Sequence, residues 1–322
     1  MARPFRFAVQ SGLGAGGLKP RDWAEYARLL EDWGFSVMLI PDHFMPVLSP
    51  LPAAMAAAQA TTTLRVGSFV VNQAWRHPAV LAKEAATVDF LSNGRFEVGL
   101  GTGYVGWEQE QVGIPFEPAG ERVSRLVEYV KVVKGLLANE QFSFSGKYYR
   151  VTDLKIEPRP IQRPHPPIVV GGNQRRLMRL AAQEADVVAM TLGGMQPNQT
   201  PWQALDEKVG WVRDAAGARF ADLELNLMVT GPLPVGLERG QAARYAIEHG
   251  LGGGRPGSQP YRDEAEFDSP AMVLGAVDQV VESLLATRER YGVSYFTYFP
   301  PADRYREFVE ALGPVVKRLA DQ

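Results

Sequence analysis

Apolar residues along this chain fall into two alternating rhythms. Short runs rich in Val, Ile, Leu and Phe, with few polar interruptions, are followed by longer stretches in which apolar residues return every three or four positions. The short runs are FRFAVQ (5–10), VMLI (37–40), LRVGSFVV (64–71), RFEVGLG (95–101), PIVVGGN (167–173), DVVAM (186–190), LELNLMV (223–229) and SYFTYF (294–299). Runs of this kind read as strands buried on both faces. The longer stretches read as amphipathic helices. In 21–35 the apolar stripe falls at 23, 26, 27, 29, 30 and 33 and is ended by Gly34. Helices are predicted likewise near 53–60 and over 78–92, 121–138, 174–184, 202–216, 240–248, 276–291 and 303–319. Pro78 suits a first turn, where its missing N–H costs nothing.

Eight strands, each followed by helix, imply a parallel sheet, and eight units in 322 residues favour a closed (β/α)8 TIM barrel. The doubly wound alternative needs fewer strands and a glycine fingerprint after the first. GLGAGG does occur at 12–17, but Pro20 opens the next helix and no acidic residue closes the following strand in the expected way. Residues 141–166 break the rhythm: FSFSGKYYRVTDL alternates around Ser-Gly, the pattern of a β-hairpin. It reads as an insertion between strands 4 and 5, not a domain boundary, and the chain is read as one domain over 1–322. A second excursion at 250–270 is too rich in Gly and Pro for regular structure.

Composition narrows the chemistry. The chain is 46% hydrophobic and 22% charged with a net charge of −2, which leaves no footprint for nucleic acid or an anionic membrane. There is no cysteine, so disulfides and thiolate sites are excluded. The N-terminus lacks an apolar leader and no run approaches the ~20 residues of a membrane span. A cytoplasmic protein is expected.

In a barrel, catalytic groups sit where strands end at the C-terminal rim. The second strand leaves its apolar run directly into Asp42 and His43. Either these enter the mouth of the site, or Asp42 caps the next segment and His43 bonds a loop carbonyl. The other strand ends are Asn72-Gln73, GLGTGY (99–104), Gly171-Gly172-Asn173 and Met190-Thr191. Such a rim has amides, hydroxyls and glycines but lacks the carboxylates and histidines that a metal-dependent hydrolase needs, so no metal is expected. Of four histidines only His43 stands at a strand end, and no G-x-S-x-G occurs. A rim of this kind suits a large planar cofactor bearing a phosphate. Gly171-Gly172 before a helix would offer N–H groups at a positive dipole end, with Arg175 and Arg176 adding charge; the plainer reading of Gly-Gly is a tight turn.

Taken together, PDHF (41–44), the block RVGSFVVNQAWRHPAVLAKEAATVDFLSNGRFEVGLGTGY (65–104), GIPF (113–116), VVGGNQRRLMRLAAQEADVV (169–188) and LGAVDQVVESLLATRERYGVSYFTYF (274–299) resemble the luciferase-like monooxygenase superfamily, and within it the group dependent on the deazaflavin F420. The resemblance runs in order over nearly the whole chain. It implies the (β/α)8 barrel with the insertion already inferred, and a homodimer. It also implies that Asp42 and His43 approach the deazaflavin, with His43 handling a proton. Phe69, Val70 and Asn72 would belong to a bulge with a non-prolyl cis peptide, placed at Phe69–Val70, against the ring. Gly101, Thr102, Gly103 and Tyr104 would lie on the ring's other side. Gly171, Gly172 and Asn173 would take the phosphate, with Arg176 and Thr191 nearby.

There is one departure. Relatives that oxidise a sugar phosphate carry a glutamate where Tyr104 stands; in this chain Glu108 and Glu110 lie one helical turn on, and Tyr104 itself either donates the second proton or lines the substrate pocket. No lysine for a phosphate occurs near TLGGMQPNQTP (191–201), and Trp75, Trp107 and Tyr104 favour an uncharged or aromatic substrate. The expectation is an F420-dependent oxidoreductase acting on a small organic molecule, by reduction of C=C or C=N or by alcohol oxidation. Alternatives are an FMN-dependent monooxygenase, a non-catalytic flavin or deazaflavin carrier, and a cofactor-free barrel lyase.

Overall fold

The computed structural model describes residues 3–11, 20–196, 198–229, 235–249, 262–300 and 304–320. The chain runs β1 (Arg6–Gln10), α1 (Pro20–Asp32), β2 (Val37–Ile40), α2 (Pro50–Ala60), β3 (Arg65–Ser68), β4 (Val71–Asn72), α3 (Pro78–Leu91), β5 (Phe96–Gly101), α4 (Gly106–Gln111) and α5 (Ala119–Ala138). It continues with β6 (Phe142–Ser145), β7 (Arg150–Leu154), β8 (Ile168–Gly172), α6 (Arg175–Glu184), β9 (Val187–Met190), α7 (Pro201–Ala216), β10 (Glu224–Met228), α8 (Arg239–Glu248), α9 (Val277–Tyr291), β11 (Val293–Tyr298) and α10 (Tyr305–Leu319).

The large sheet has the order β3-β2-β1-β11-β10-β9-β8-β5-β4, and a further pairing of β3 with β5 closes it. All its pairings are parallel. This is the expected eight-stranded barrel. β6 and β7 form the antiparallel hairpin expected between the fourth and fifth barrel strands. The glycine-rich loop 12–17 and residues 250–261 of the excursion lie outside the described residues; the remainder of the excursion makes one short turn at Glu264–Phe267.

Side chains alternate across each strand, so one set fills the barrel and the other meets the helices. Ala8, Val37, Leu39, Phe69, Val169, Val187, Ala189 and Tyr295 form the inner cluster. Their strand neighbours, such as Phe7, Met38, Val98, Val170 and Phe296, belong to the larger cluster shared with the helices. Each of these fully buried side chains is worth ~1.5–3 kcal/mol relative to exposure.

The inner set turns ionic at the N-terminal rim. Buried Glu97 accepts hydrogen bonds from Arg6, from Arg65 Nε at 2.7 Å and from the Tyr295 hydroxyl at 3.3 Å, while Arg6 also meets Glu224 at 2.6 Å. Burial opposes charge on Glu97, but Arg6 and Arg65 outweigh it and hold its carboxyl below the usual value. This end of the barrel is stoppered by charge pairs.

The third expected strand is split. Between β3 and β4 the Phe69–Val70 peptide is cis, at the position the resemblance implied. The bulge fits because β5 has glycines beside it. A Cβ on Gly101 would lie 2.3 Å from Val70 Cγ2, and one on Gly99 would lie 2.0 Å from the Ser68 carbonyl oxygen. Ser68 Oγ donates to the Gly99 carbonyl and accepts from its N–H, and Gln10 Nε2 donates to the Phe69 carbonyl at 2.6 Å.

Candidate active site at the C-terminal rim

β2 ends at Ile40, and Asp42 and His43 follow at the rim. The Asp42 carboxylate is turned toward the protein: its Oδ2 accepts from Arg76 Nη1 at 2.7 Å and from the Asn72 N–H at 3.1 Å, and its carbonyl accepts from Trp75 Nε1 at 3.3 Å. It therefore clamps the end of β2 to the segment after β4. Burial pushes its carboxyl above the usual value, against the pull of Arg76, of the Asn72 N–H and of His43.

His43 is held from behind. Its Nδ1 lies 2.8 Å from Glu108 Oε2, while Glu108 Oε1 accepts the backbone N–H groups of Phe44 at 2.7 Å and Met45 at 3.2 Å. Glu108 is 1% exposed. A carboxylate only accepts, so Nδ1 donates to Glu108 and Nε2 is the ring nitrogen left to meet a ligand. Nε2 has no protein partner among the described residues. The imidazole stands edge-on to Tyr104 with 5.5 Å between centroids. Tyr104 is 74% exposed, so its hydroxyl reaches solvent at the mouth.

The sequence leaves Glu108 and Glu110 equivalent, and the structure separates them. Both lie on α4, a helix of six residues with no apolar period to announce it; Glu108 is buried against the β2 loop and Glu110 is exposed. Two arginines were also silent in the sequence, Arg76 on Asp42 and Arg122 on α5. Arg122 hydrogen-bonds the Gly103 carbonyl and, through Nε, the Glu117 carbonyl at 2.9 Å, which pins the loop after β5. Gly103 has φ +69°, and a Cβ there would lie 2.5 Å from Asn72 Oδ1, so a larger residue would be strained and would displace the Asn72 amide. Asn72 Oδ1 in turn accepts the Ala74 N–H at 3.0 Å, and Thr102 lies half-buried between these groups.

Across the mouth, Gly171, Gly172 and Asn173 are half-buried at the end of β8. A Cβ on Gly193 would lie 3.1 Å from Asn173 Nδ2, so the loops after β8 and β9 close on each other. The N–H of Thr191, a buried residue, donates to the Gly172 carbonyl at 3.3 Å. No side chain caps α6, whose first-turn N–H groups begin just past Asn173. Arg176 is committed elsewhere: it donates to the Gly120 carbonyl and Ser124 Oγ of α5, both at 2.7 Å. Deeper in the barrel, Asn226 Nδ2 donates to Thr297 Oγ1 at 2.7 Å while its Oδ1 is buried without a partner. Among the described residues no three His, Cys, Asp or Glu side chains cluster as a metal site. An uncapped helix start, a glycine-walled bulge and an imidazole with one free nitrogen fit a planar, phosphate-bearing cofactor.

A profile of the luciferase-like monooxygenase family matches residues 4–275. The chain belongs to this family. Among curated proteins it is 30% identical over 203 residues to an FMNH(2)-dependent dimethylsulfone monooxygenase of Pseudomonas putida, covering 58% of this chain and 56% of that one. It is 34% identical over 164 residues to an F420-dependent glucose-6-phosphate dehydrogenase of Amycolatopsis mediterranei (strain U-32), covering 48% of each. The chain spans about half the length of these relatives. In fold it resembles the coenzyme F420-dependent tetrahydromethanopterin reductase of Methanopyrus kandleri, with a TM-score of 0.76, 18% identity and coverage of 98% of this chain and 100% of that one.

Proposed function

We propose that this chain is an F420-dependent oxidoreductase that moves a hydride between the deazaflavin and a small uncharged organic molecule, with His43 handling the proton. The observation that carries this reading is the His43–Glu108 pair, which fixes an imidazole at the rim with Nε2 free. When bound, the deazaflavin supplies or takes the hydride. His43 Nε2 then receives the proton of a substrate hydroxyl during oxidation, or returns it to the heteroatom or carbon during reduction. Glu108 keeps Nδ1 protonated and offsets the charge on the imidazolium. Gly171, Gly172 and Asn173, with the first turn of α6, would hold the phosphate. The bulge at Phe69 and Val70, together with Gly101, Thr102 and Gly103, would bracket the ring. Asp42 and Asn72 support that bulge from behind, and Thr191 supports the phosphate loop. Tyr104, Phe44, Trp75 and Trp107 at the mouth would line the substrate's approach, and Tyr104 takes the place of a second acid. The assembly is a homodimer, and the compartment cytoplasmic; no helix among the described residues is long and apolar enough to cross a membrane.

The second reading, an FMN-dependent monooxygenase, is favoured by the dimethylsulfone monooxygenase likeness. Titrating the purified protein with F420 and with FMN, and following the quenching of each chromophore's fluorescence, separates the two. Saturable F420 binding with weak FMN binding is expected. Tight FMN binding with none of F420 reverses the assignment.

A further inference from the structure

A groove of about 540 Å³ lies on the outer wall between α6 and α7. Its α6 wall is Arg175, Arg179 and Gln183, spaced four residues apart on one helical face, with Arg176 beside them; its α7 wall includes Trp211 and Asp214. Among the described residues Arg175 and Arg179 have no carboxylate within ion-pair distance, although the protein pairs many of its other arginines. Asp214 is the one acidic group lining the groove. Arg175 and Arg179, unpaired on the α6 wall, outnumber the one acidic group and make a surface for a ligand that brings more than one negative charge.

The groove also has a direction. It starts on the first turn of α6, just past Gly171, Gly172 and Asn173, and descends along Arg175, Arg179 and Gln183. A cofactor whose phosphate sits at those glycines and which ends there, as FMN does, leaves the groove unused. One that continues past the phosphate as a chain of carboxylates would enter it. F420 has that chemistry: its phosphate is followed by a lactyl group and γ-linked glutamates. We infer that the α6–α7 groove receives the oligoglutamate tail of the cofactor, with Arg175 and Arg179 pairing its carboxylates and Trp211 packing against its methylenes. This rests on the F420 reading proposed above and sharpens it, since it assigns residues that bind the part FMN lacks.

The test is equilibrium binding, read by deazaflavin fluorescence, of F420 prepared with no glutamate, with a short tail and with a long tail. It uses wild type, the double variant Arg175→Gln/Arg179→Gln, Asp214→Asn, and Arg306→Gln on distant α10 as a control. Exposed ion pairs are individually weak, so several together are expected to tighten the long-tailed form about tenfold over the tail-less one in wild type. That advantage should vanish in the double variant, grow in Asp214→Asn, persist in the control, and fade at about 1 M salt, where screening acts within ~3 Å. The variants are on the surface, a wild-type circular dichroism spectrum and urea midpoint report that each is folded, and the readout is the ratio of long-tailed to tail-less affinity within each variant. Equal affinity for all tail lengths in wild type, with tail-less F420 still bound, overturns the groove assignment and leaves the cofactor reading standing. Binding of FMN but of no form of F420 overturns both.

Discussion

At the scale of residues, Glu108 has two separable duties. One oxygen satisfies the part-buried N–H groups of Phe44 and Met45, and the other holds His43 Nδ1. Glu108→Gln can still accept both N–H groups through its carbonyl, but it presents an amide N–H₂ where His43 needs an acceptor. Glu108→Ala abandons both duties. A fully buried N–H left without a partner costs ~1–3 kcal/mol, and these part-buried ones cost less because water reaches them in part. The expected outcome is that Glu108→Ala is clearly less stable in urea unfolding, whereas Glu108→Gln keeps near-wild-type stability and loses about ten- to a hundredfold in kcat with little change in KM. His43→Ala should lose more, about 10²–10⁴-fold in kcat, while its affinity for the cofactor stays within a few fold. A fall in cofactor affinity that matches the fall in kcat would assign the imidazole to binding instead. His43 was legible from its place after a buried run, since a strand that ends in Asp-His has left the core. Its partner was not legible, because it lies 65 residues away on a helix without an apolar stripe.

At the scale of elements, the strands and helices follow from periodicity because each rhythm is fixed by backbone geometry. Observed ends lie within a few residues of those read from the pattern, as in α5 at Ala119–Ala138 and β2 at Val37–Ile40. What periodicity hides is cooperation between elements. Arg6, Arg65, Glu97 and Glu224 each stand at the start of an apolar strand, and only closure of the barrel brings them together. Removing a buried partner strands the opposite charges, at a cost of ~3–5 kcal/mol. Glu97→Ala is therefore expected to lower the urea midpoint markedly without moving the cofactor affinity of what remains folded, since the cluster sits at the rim opposite His43. A smaller effect shows between α1 and β3. Glu31 Oε1 accepts the N–H groups of Thr62, Thr63 and Leu64. Burial raises its pKa, but those bonds and the Thr63 hydroxyl outweigh it and bring the value down to about 2. A carboxyl depressed on folding stabilises above its unfolded value of ~4.3 and loses that contribution as pH falls toward its folded value. The stability gap between wild type and Glu31→Gln should hold from neutral pH to about 5, narrow below that, and close near pH 2. A gap independent of pH would place the effect in packing and not in charge.

At the scale of the whole molecule, α2 and α3 stand apart from the other helices. A helix on the outside of a barrel needs one apolar stripe and a polar outer face. Yet α2 reads PLPAAMAAAQA, with Gln59 its one polar side chain, and α3 reads PAVLAKEAATVDFL, whose outer side sets Val80, Phe90 and Leu91 beside Lys83, Glu84 and Thr87. Val80, Phe90 and Leu91 are 50%, 49% and 52% exposed, and Ile161 of the insertion is 46% exposed. Gln59 Nε2 of α2 donates to the Leu91 carbonyl at 3.3 Å, which joins the two helix ends into one face. Apolar side chains gathered like this on a surface mark a protein interface. In the homodimer proposed above, two-fold symmetry would let the same face serve both partners, Phe90 and Leu91 of one copy meeting the equivalent face of the other. On that proposal, sedimentation velocity is expected to show a dimer for wild type and a monomer for Phe90→Asp/Leu91→Asp. Cofactor affinity should be retained, because neither residue contributes to the rim. A dimer that survives the double substitution would move the interface off α3.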